Sequence, residues 1–186
     1  MKNASRIVLL GSMLTFAHRA PAQGPGILGV SVEAAAPVGS LNRAFGLGYG
    51  VEAFAKRQLP YDPLVIGIGL GYRRLPASTT WHISVASLEL TGDYSFQSVP
   101  LAPFVTAGPG LYDVTQKATE QGSVNGVDYS RGDFRVRACG GVFGAGLNFT
   151  TPWARVPVAL LFHSIPGFKV AGSPVRFSTL SVGVEF

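Results

Sequence analysis

The last twelve residues, Val175 to Phe186, constrain the chain more than any other stretch; they read V-R-F-S-T-L-S-V-G-V-E-F. Leu180, Val182, Val184 and Phe186 alternate with Thr179, Ser181, Gly183 and Glu185. Successive side chains of a strand point to opposite faces, so this period of two predicts a strand with one apolar and one polar side. The alternation runs through to the final aromatic residue. A strand that is apolar along one whole face must lie against either a protein core or lipid, and the rest of the chain decides between them.

The N-terminus favours export. Lys2 and Arg6 form a basic start, Ile7 to Ala17 an apolar run, and Ala20-Pro21-Ala22 a small-residue cleavage site, so residues 1–22 are expected to be a signal peptide. The run is shorter than the ~20 residues that a spanning helix needs. No other stretch suits a membrane helix, so any membrane insertion would have to be as a barrel. The expected mature domain, 23–186, loses Lys2, Arg6 and Arg19; 12 bases then face 10 acids, a net charge of +2 instead of +5. That balance, with no basic cluster interleaved with aromatics, is poor evidence for a nucleic-acid partner, and an exported chain is not expected to meet one. Cys139 is the only cysteine, so no internal disulfide or thiolate metal cluster can form; it is expected to be a small packing residue. Twenty-four glycines with only 13% charged residues suit a sheet that meets lipid on its outer face.

Eight alternating segments follow, and they predict an all-β, eight-stranded antiparallel up-and-down transmembrane barrel. The first, about Ile27–Ala36, turns Leu28, Val30, Val32 and Ala34 outward and Glu33 inward. The second, Ala44–Arg57, sets Phe45, Leu47, Tyr49, Val51, Ala53 and Ala55 against Gly46, Gly48, Gly50, Glu52 and Lys56. The third, Leu64–Arg73, sets Ile66, Ile68, Leu70 and Tyr72 against Gly67, Gly69, Gly71 and Arg73. In the fourth, His82–Gln97, Glu89 and Asp93 fix the phase, because neither carboxylate would be tolerated on a lipid face.

The fifth, about Ala102–Val114, contains Pro109, where a lost ladder donor predicts a bulge. In the sixth, Asp133–Phe149, the phase of Phe143, Ala145, Leu147 and Phe149 carries Arg135 and Arg137 outward. The strand is longer than the ~9–11 residues needed to span, so these arginines are expected to clear the membrane. The seventh is Val156–Ser164, and the eighth ends the chain. An even count leaves both ends on one side, with short turns there (Gln58–Pro63, Ser98–Leu101, Thr150–Arg155). The longer connections Pro37–Arg43, Leu75–Trp81, Thr115–Gly132 and Pro166–Pro174 then lie outside.

Pro103–Tyr112 (P-F-V-T-A-G-P-G-L-Y), Val142–Phe149 (V-F-G-A-G-L-N-F) and Leu180–Phe186 (L-S-V-G-V-E-F) resemble strands of the outer-membrane-protein β-barrel domain family, the group of small OmpA-like and opacity-type barrels. The resemblance extends over essentially the whole mature chain. It implies residence in the outer membrane of a Gram-negative cell envelope. It also implies insertion by the barrel assembly machinery, which would read Leu180, Val182, Val184 and Phe186 as its signal. The family has no shared catalytic residues to carry over, and a cofactor is not expected.

The inward charges form the main constellation: Glu33, Glu52, Lys56, Arg73, Glu89, Asp93, His163 and Glu185. Eight strands leave room for little besides side chains, so these groups are expected to satisfy one another, with Arg73 against Glu89 or Asp93. The functional alternative is a narrow, porin-like path for small solutes, since inward glycines would leave the lumen under-filled. The glycine runs lack a following helix and so cannot be phosphate loops.

His163-Ser164 is loosely similar to the His and Ser of lipid A deacylase barrels. Adjacent residues of a strand face opposite ways, whereas a base must share a face with its nucleophile. Two histidines in the mature chain and the irregular spacing of Asp113, Glu120, Asp128 and Asp133 support neither a transition-metal nor a calcium site. Specific recognition would sit in Thr115–Gly132, a polar segment suited to a hairpin that touches lipopolysaccharide, a host surface or phage. The expected partners are therefore outer-membrane lipid and lipopolysaccharide, and the expected state is a monomer. A soluble ligand-binding barrel of lipocalin type would require Glu89 and Asp93 outside and Leu88 and Leu90 within.

Overall fold

The computed structural model describes residues 26–39, 42, 45–60, 63–76, 81–96, 101–118, 121–124, 127–130, 134–170 and 173–186. The expected signal peptide, residues 1–22, lies outside them. The strands are β1 (Gly26–Pro37), β2 (Gly48–Gln58), β3 (Leu64–Pro76), β4 (Trp81–Ser95), β5 (Leu101–Ala118), β6 (Gln121–Val124), β7 (Val127–Ser130), β8 (Phe134–Thr150), β9 (Arg155–Val170) and β10 (Ser173–Glu185). Eight of them close into a barrel in the order β1-β10-β9-β8-β5-β4-β3-β2, every pair antiparallel, while β6 and β7 form a separate hairpin.

The seam is made by the two ends of the described chain. Val30 pairs with Val184, Val32 with Val182 and Ala34 with Leu180. The ladder finishes where Phe186 N donates to Leu28 O at 2.8 Å and Leu28 N donates to Phe186 O at 3.3 Å. Phe186 therefore closes the cylinder against Leu28.

Around the barrel the outward positions form an apolar belt. Leu28, Val32, Val51, Ile68, Leu70, Leu90, Val105, Leu111, Phe143, Leu160, Leu180 and Val182 are all exposed. Water would penalise such a surface at about 25 cal/mol per Å², and a monomeric soluble protein rarely shows an apolar patch beyond a few hundred Å². Lipid does not penalise it. Glu89 and Asp93 point inward while Leu88 and Leu90 point outward, which overturns the soluble-barrel alternative. Tyr94, Phe96, Leu101, Phe149, Trp153 and Phe186 mark the rim that carries both described ends, and Tyr49, Tyr72 and Phe134 are exposed toward the other.

Connections at the first rim are short. In one, Thr151 caps the β8–β9 turn by accepting from Ala154 N at 3.0 Å and donating to Ala154 O at 2.7 Å. The long strand extensions and the hairpin rise from the opposite rim, the extracellular one by the usual asymmetry of such barrels.

Above the belt the pattern inverts. Ala35, Phe45, Leu75, Ile83, Val85, Val114, Ile165, Phe168, Val175 and Phe177 are buried together inside the barrel, whereas Arg135, Lys117, Lys169 and Arg176 lie outside it. Once the wall leaves lipid for water, apolar groups gain more inside than outside. Phe45 therefore belongs to this plug and not to the lipid face, and β2 starts at Gly48 instead of Ala44.

Pro109 causes no bulge. Glu89 faces Gly110 and Gly92 faces Ala107, so the register is unchanged across it, and Pro109 opposes Gly141 on the other side. Gly108, next to it, lets the strands approach closely: a Cβ there would collide with Leu90 O. The expected loop Pro166–Pro174 is also corrected. β9 continues to Val170, and the irregularity is a bulge that shifts the register between Pro174–Lys169 and Val175–Ile165, beside the buried Phe168. Cys139 is exposed on the lipid side and is not a packing residue.

Candidate functional site: the lumen network and the outer rim

The eight inward charges gather into two clusters. Arg73, on β3, is fully buried, and its guanidinium reaches three carboxylates. Nε and Nη2 donate to Glu33 at 2.6 and 3.0 Å, Nη2 to Glu52 at 3.0 Å, and Nη1 to Glu89 at 3.1 Å. Nη1 also donates to Ser87 Oγ at 2.7 Å. His163, on β9, joins from the opposite wall. Its Nδ1 lies 3.5 Å from Glu89 and from Tyr112 OH, its Nε2 lies 3.3 Å from Thr179 Oγ1, and its ring stacks on Phe177.

The second cluster lies nearer the rim with the chain ends. Lys56 Nζ contacts Asp93 at 3.0 Å and Glu185 at 2.9 Å and stands over the Phe54 ring. Arg155 adds a longer contact to Glu185, 3.7 Å. Of the two partners expected for Arg73, Glu89 is the one it meets, while Asp93 belongs to Lys56. Buried ions of this kind are tolerated only when paired, and each buried carboxylate here meets Arg73 or Lys56.

The inward glycines do not leave the lumen as under-filled as the solute-path alternative supposes. They form the floor on which the charged side chains lie. A Cβ on Gly50 would stand 2.7 Å from Arg73 Cγ and 3.0 Å from Glu33 Oε2, and one on Gly69 would overlap Glu52. Tyr112 likewise lies across Gly110 and Gly140, where a Cβ would come within 2.7 and 2.9 Å of its ring. A cavity of about 60 Å³ lies between the clusters, lined by Glu52, Phe54, Lys56, Asp93 and Phe104 among others. It has room for a few water molecules. Ser87, Tyr112 and Thr179 also belong to this network; each shares the inward phase of a charge on its own strand or the next, the one signal in the sequence that could have found them.

Outside, β5 and β8 carry a second set of charges. Leu101 to Leu111 already supplies enough residues to span, so Asp113 stands above the belt, as do its register partner Arg137 and the neighbouring Arg135. Asp113 accepts from Arg135 Nε at 2.7 Å, from Arg135 Nη2, and from Arg137 Nε at 3.3 Å. The Arg135 bonds hold the Asp113 carboxyl below the usual carboxylate range, and the carboxylate in turn raises Arg135. Both arginines point outward, so the phase of β8 runs unbroken through Gly140-Gly141. Below them a groove of about 470 Å³ is lined by Ala86, Leu88, Leu111, Ala138 and Cys139.

His163 and Ser164 lie on opposite faces, the first fully buried in the lumen and the second toward the outside. They cannot act together as base and nucleophile. Among the described residues no group of three or more His, Cys, Asp or Glu is placed to hold a metal. Glu120, Asn125, Gly126 and Asp133 lie outside the described residues.

A closed eight-stranded barrel with an apolar belt and a charged, filled lumen is the architecture of a small outer-membrane barrel. Solved structures agree. Neisserial surface protein A superposes with a TM-score of 0.65 at 17% identity over 86% of this chain and 95% of its own. The outer-membrane enzyme PagL gives 0.54 at 16% identity over 85% and 98%. Ail, the attachment invasion locus protein of Yersinia pestis, gives 0.51 at 12% identity over 89% and 100%. At these identities the likeness is one of fold. No protein-family model matches the chain, and no curated protein matches it in sequence. The fold resemblance read from the strand motifs therefore stands: the chain has the fold of the small outer-membrane β-barrels.

Proposed function

We propose that the barrel is a rigid structural platform whose specific work is done at the cell surface, by the extracellular extension of β5 and β8 and the β6–β7 hairpin. The observation that carries this reading is the filled interior. The Arg73 cluster crosses the middle of the lumen, and the apolar plug around Phe177, Val85 and Leu75 occupies its outer part. A wall that offers little inside can act chiefly through what it presents outside. Of the neighbours, Ail is described as an attachment invasion protein, which accords with a surface role without assigning one to this chain.

Replacing residues 119–132 with a short Gly-Ser linker tests the reading. The barrel should still fold and insert, while binding of intact cells to host cells or abiotic surfaces should fall. Undiminished adhesion, with equal envelope integrity, would remove the hairpin from the function. The alternative of a narrow solute path draws support from the cavity of about 60 Å³. It predicts discrete openings in planar bilayers, where a filled barrel is silent.

A further inference from the structure

We propose that the outer rim of β4, β5 and β8 binds a phosphorylated, multiply acylated glycolipid of the outer leaflet. Arg135 and Arg137 would hold a phosphate, and one acyl chain would lie in the groove beneath them. Three features of the wall point to an amphiphile with an anionic head. The first is charge. Arg135 and Arg137 are two residues apart on one strand, so both project outward about 7 Å from each other. Their side chains are largely exposed, and Asp113 supplies only one negative charge for the two. Guanidinium groups match phosphate in geometry and desolvate more readily than ammonium.

Height is the second feature. The arginines stand immediately above the last belt residues of their strands, Leu111 and Cys139, which is where lipid headgroups meet the wall. Elsewhere on the same rim, the exposed Lys117, Lys169 and Arg176 are also cationic, so a headgroup with several anionic groups would be attracted around this side. The third is shape. Ala86 and Cys139 are small, and with Leu88 and Leu111 they line the groove of about 470 Å³ whose upper end is Asp113 and Arg137; Ala138 also borders it, with its side chain packed inward against the plug. The cationic top and apolar floor are continuous. The site requires the barrel to stand in an outer membrane but does not require the hairpin to bind anything, so the two proposals fail separately.

Cys139 is a built-in reporter, because it is the sole thiol and lies in the groove. The test follows its alkylation by a maleimide in the folded, detergent-solubilised protein while bisphosphorylated lipid A is titrated in. With lipid at about ten times its Kd, an occupied groove should slow the reaction about tenfold and saturably. Lipid A stripped of phosphate should protect weakly. The double variant Arg135→Gln/Arg137→Gln, whose altered side chains are exposed and whose folding is confirmed by heat-modifiable gel mobility, should lose the protection. Asp113→Asn, which removes the competing carboxylate, should keep it or strengthen it. The proposal is overturned by absence of saturable protection, by equal protection from the phosphate-free lipid, or by full protection in the double variant.

Discussion

Arg73 and Glu33 sit on strands that are not paired with each other, yet two hydrogen bonds of 2.6 and 3.0 Å join them across the intervening β2. The register places Gly50 between them, paired with Glu33 on one side and Arg73 on the other. The ion pair can bridge a whole strand because the residue below it has no side chain. Sequence, register and electrostatics thus meet in one row of three residues.

Gly50→Ala should therefore destabilise the barrel by about 1–3 kcal/mol, since its Cβ would crowd Arg73 Cγ and Glu33 Oε2. Gly92→Ala, whose Cβ would meet nothing closer than 3.9 Å, is the control and should be nearly neutral. Urea unfolding of the refolded protein in micelles or vesicles gives both values.

Arg73→Leu should be worse, because it leaves Glu33, Glu52 and Glu89 facing one another without their shared cation. Removing one partner of a buried pair typically costs about 3–5 kcal/mol. Adding Glu33→Gln to Arg73→Leu should recover part of the loss, which a double-mutant cycle measures directly.

The seam offers a geometric prediction. Val32→Cys/Val182→Cys in a Cys139→Ser background should cross-link readily with a lipophilic oxidant, because the two positions are register partners. Val32→Cys/Leu180→Cys, offset by one pair, should cross-link poorly. Equal yields would mean that β1 and β10 do not hold this register.

Asp113 gives a pH dependence of definite sign. Arg135 lowers its folded pKa, so its stabilising effect is present above the ordinary carboxylate value of about 4 and is lost as pH falls through the lower folded value. The unfolding midpoints of wild type and Asp113→Asn should differ by a small, constant amount from about pH 5 to 8 and converge at lower pH. The difference should be small because the pair is exposed and screened.

Much of the wall was legible in the sequence because lipid imposes a strict rule on it. Glu89 and Asp93 could only face inward, and that fixed β4 and, through pairing, its neighbours. The upper barrel was harder to read. Ile83, Val85, Val175 and Phe177 are in phase with the inward carboxylates Glu89, Asp93 and Glu185, and an apolar residue at an inward position has no meaning until the wall is known to have left the membrane. Phe45 reads as lipid-facing for a different reason: its alternation with Leu47 and Tyr49 continues past the start of β2 at Gly48, where strand phase no longer decides direction, and it fills the plug. The inward glycines read as empty space because a sequence does not show which long side chain from the next strand will cover them. Arg73 over Gly50 and Tyr112 over Gly110 do so. Pro109 suggested a bulge, but the missing donor is absorbed without a register change.

The central claim is that this chain is a closed outer-membrane barrel completed where Phe186 meets Leu28. The most direct measurement is gel mobility of unheated and boiled protein extracted from membranes with detergent, for the full chain and for a Phe186 deletion. The claim predicts that extraction requires detergent, that the unheated full chain migrates faster than the boiled one, and that the deletion sharply reduces the fast-migrating form. Protein that is soluble without detergent, shows no heat-dependent shift and is indifferent to the loss of Phe186 would contradict it.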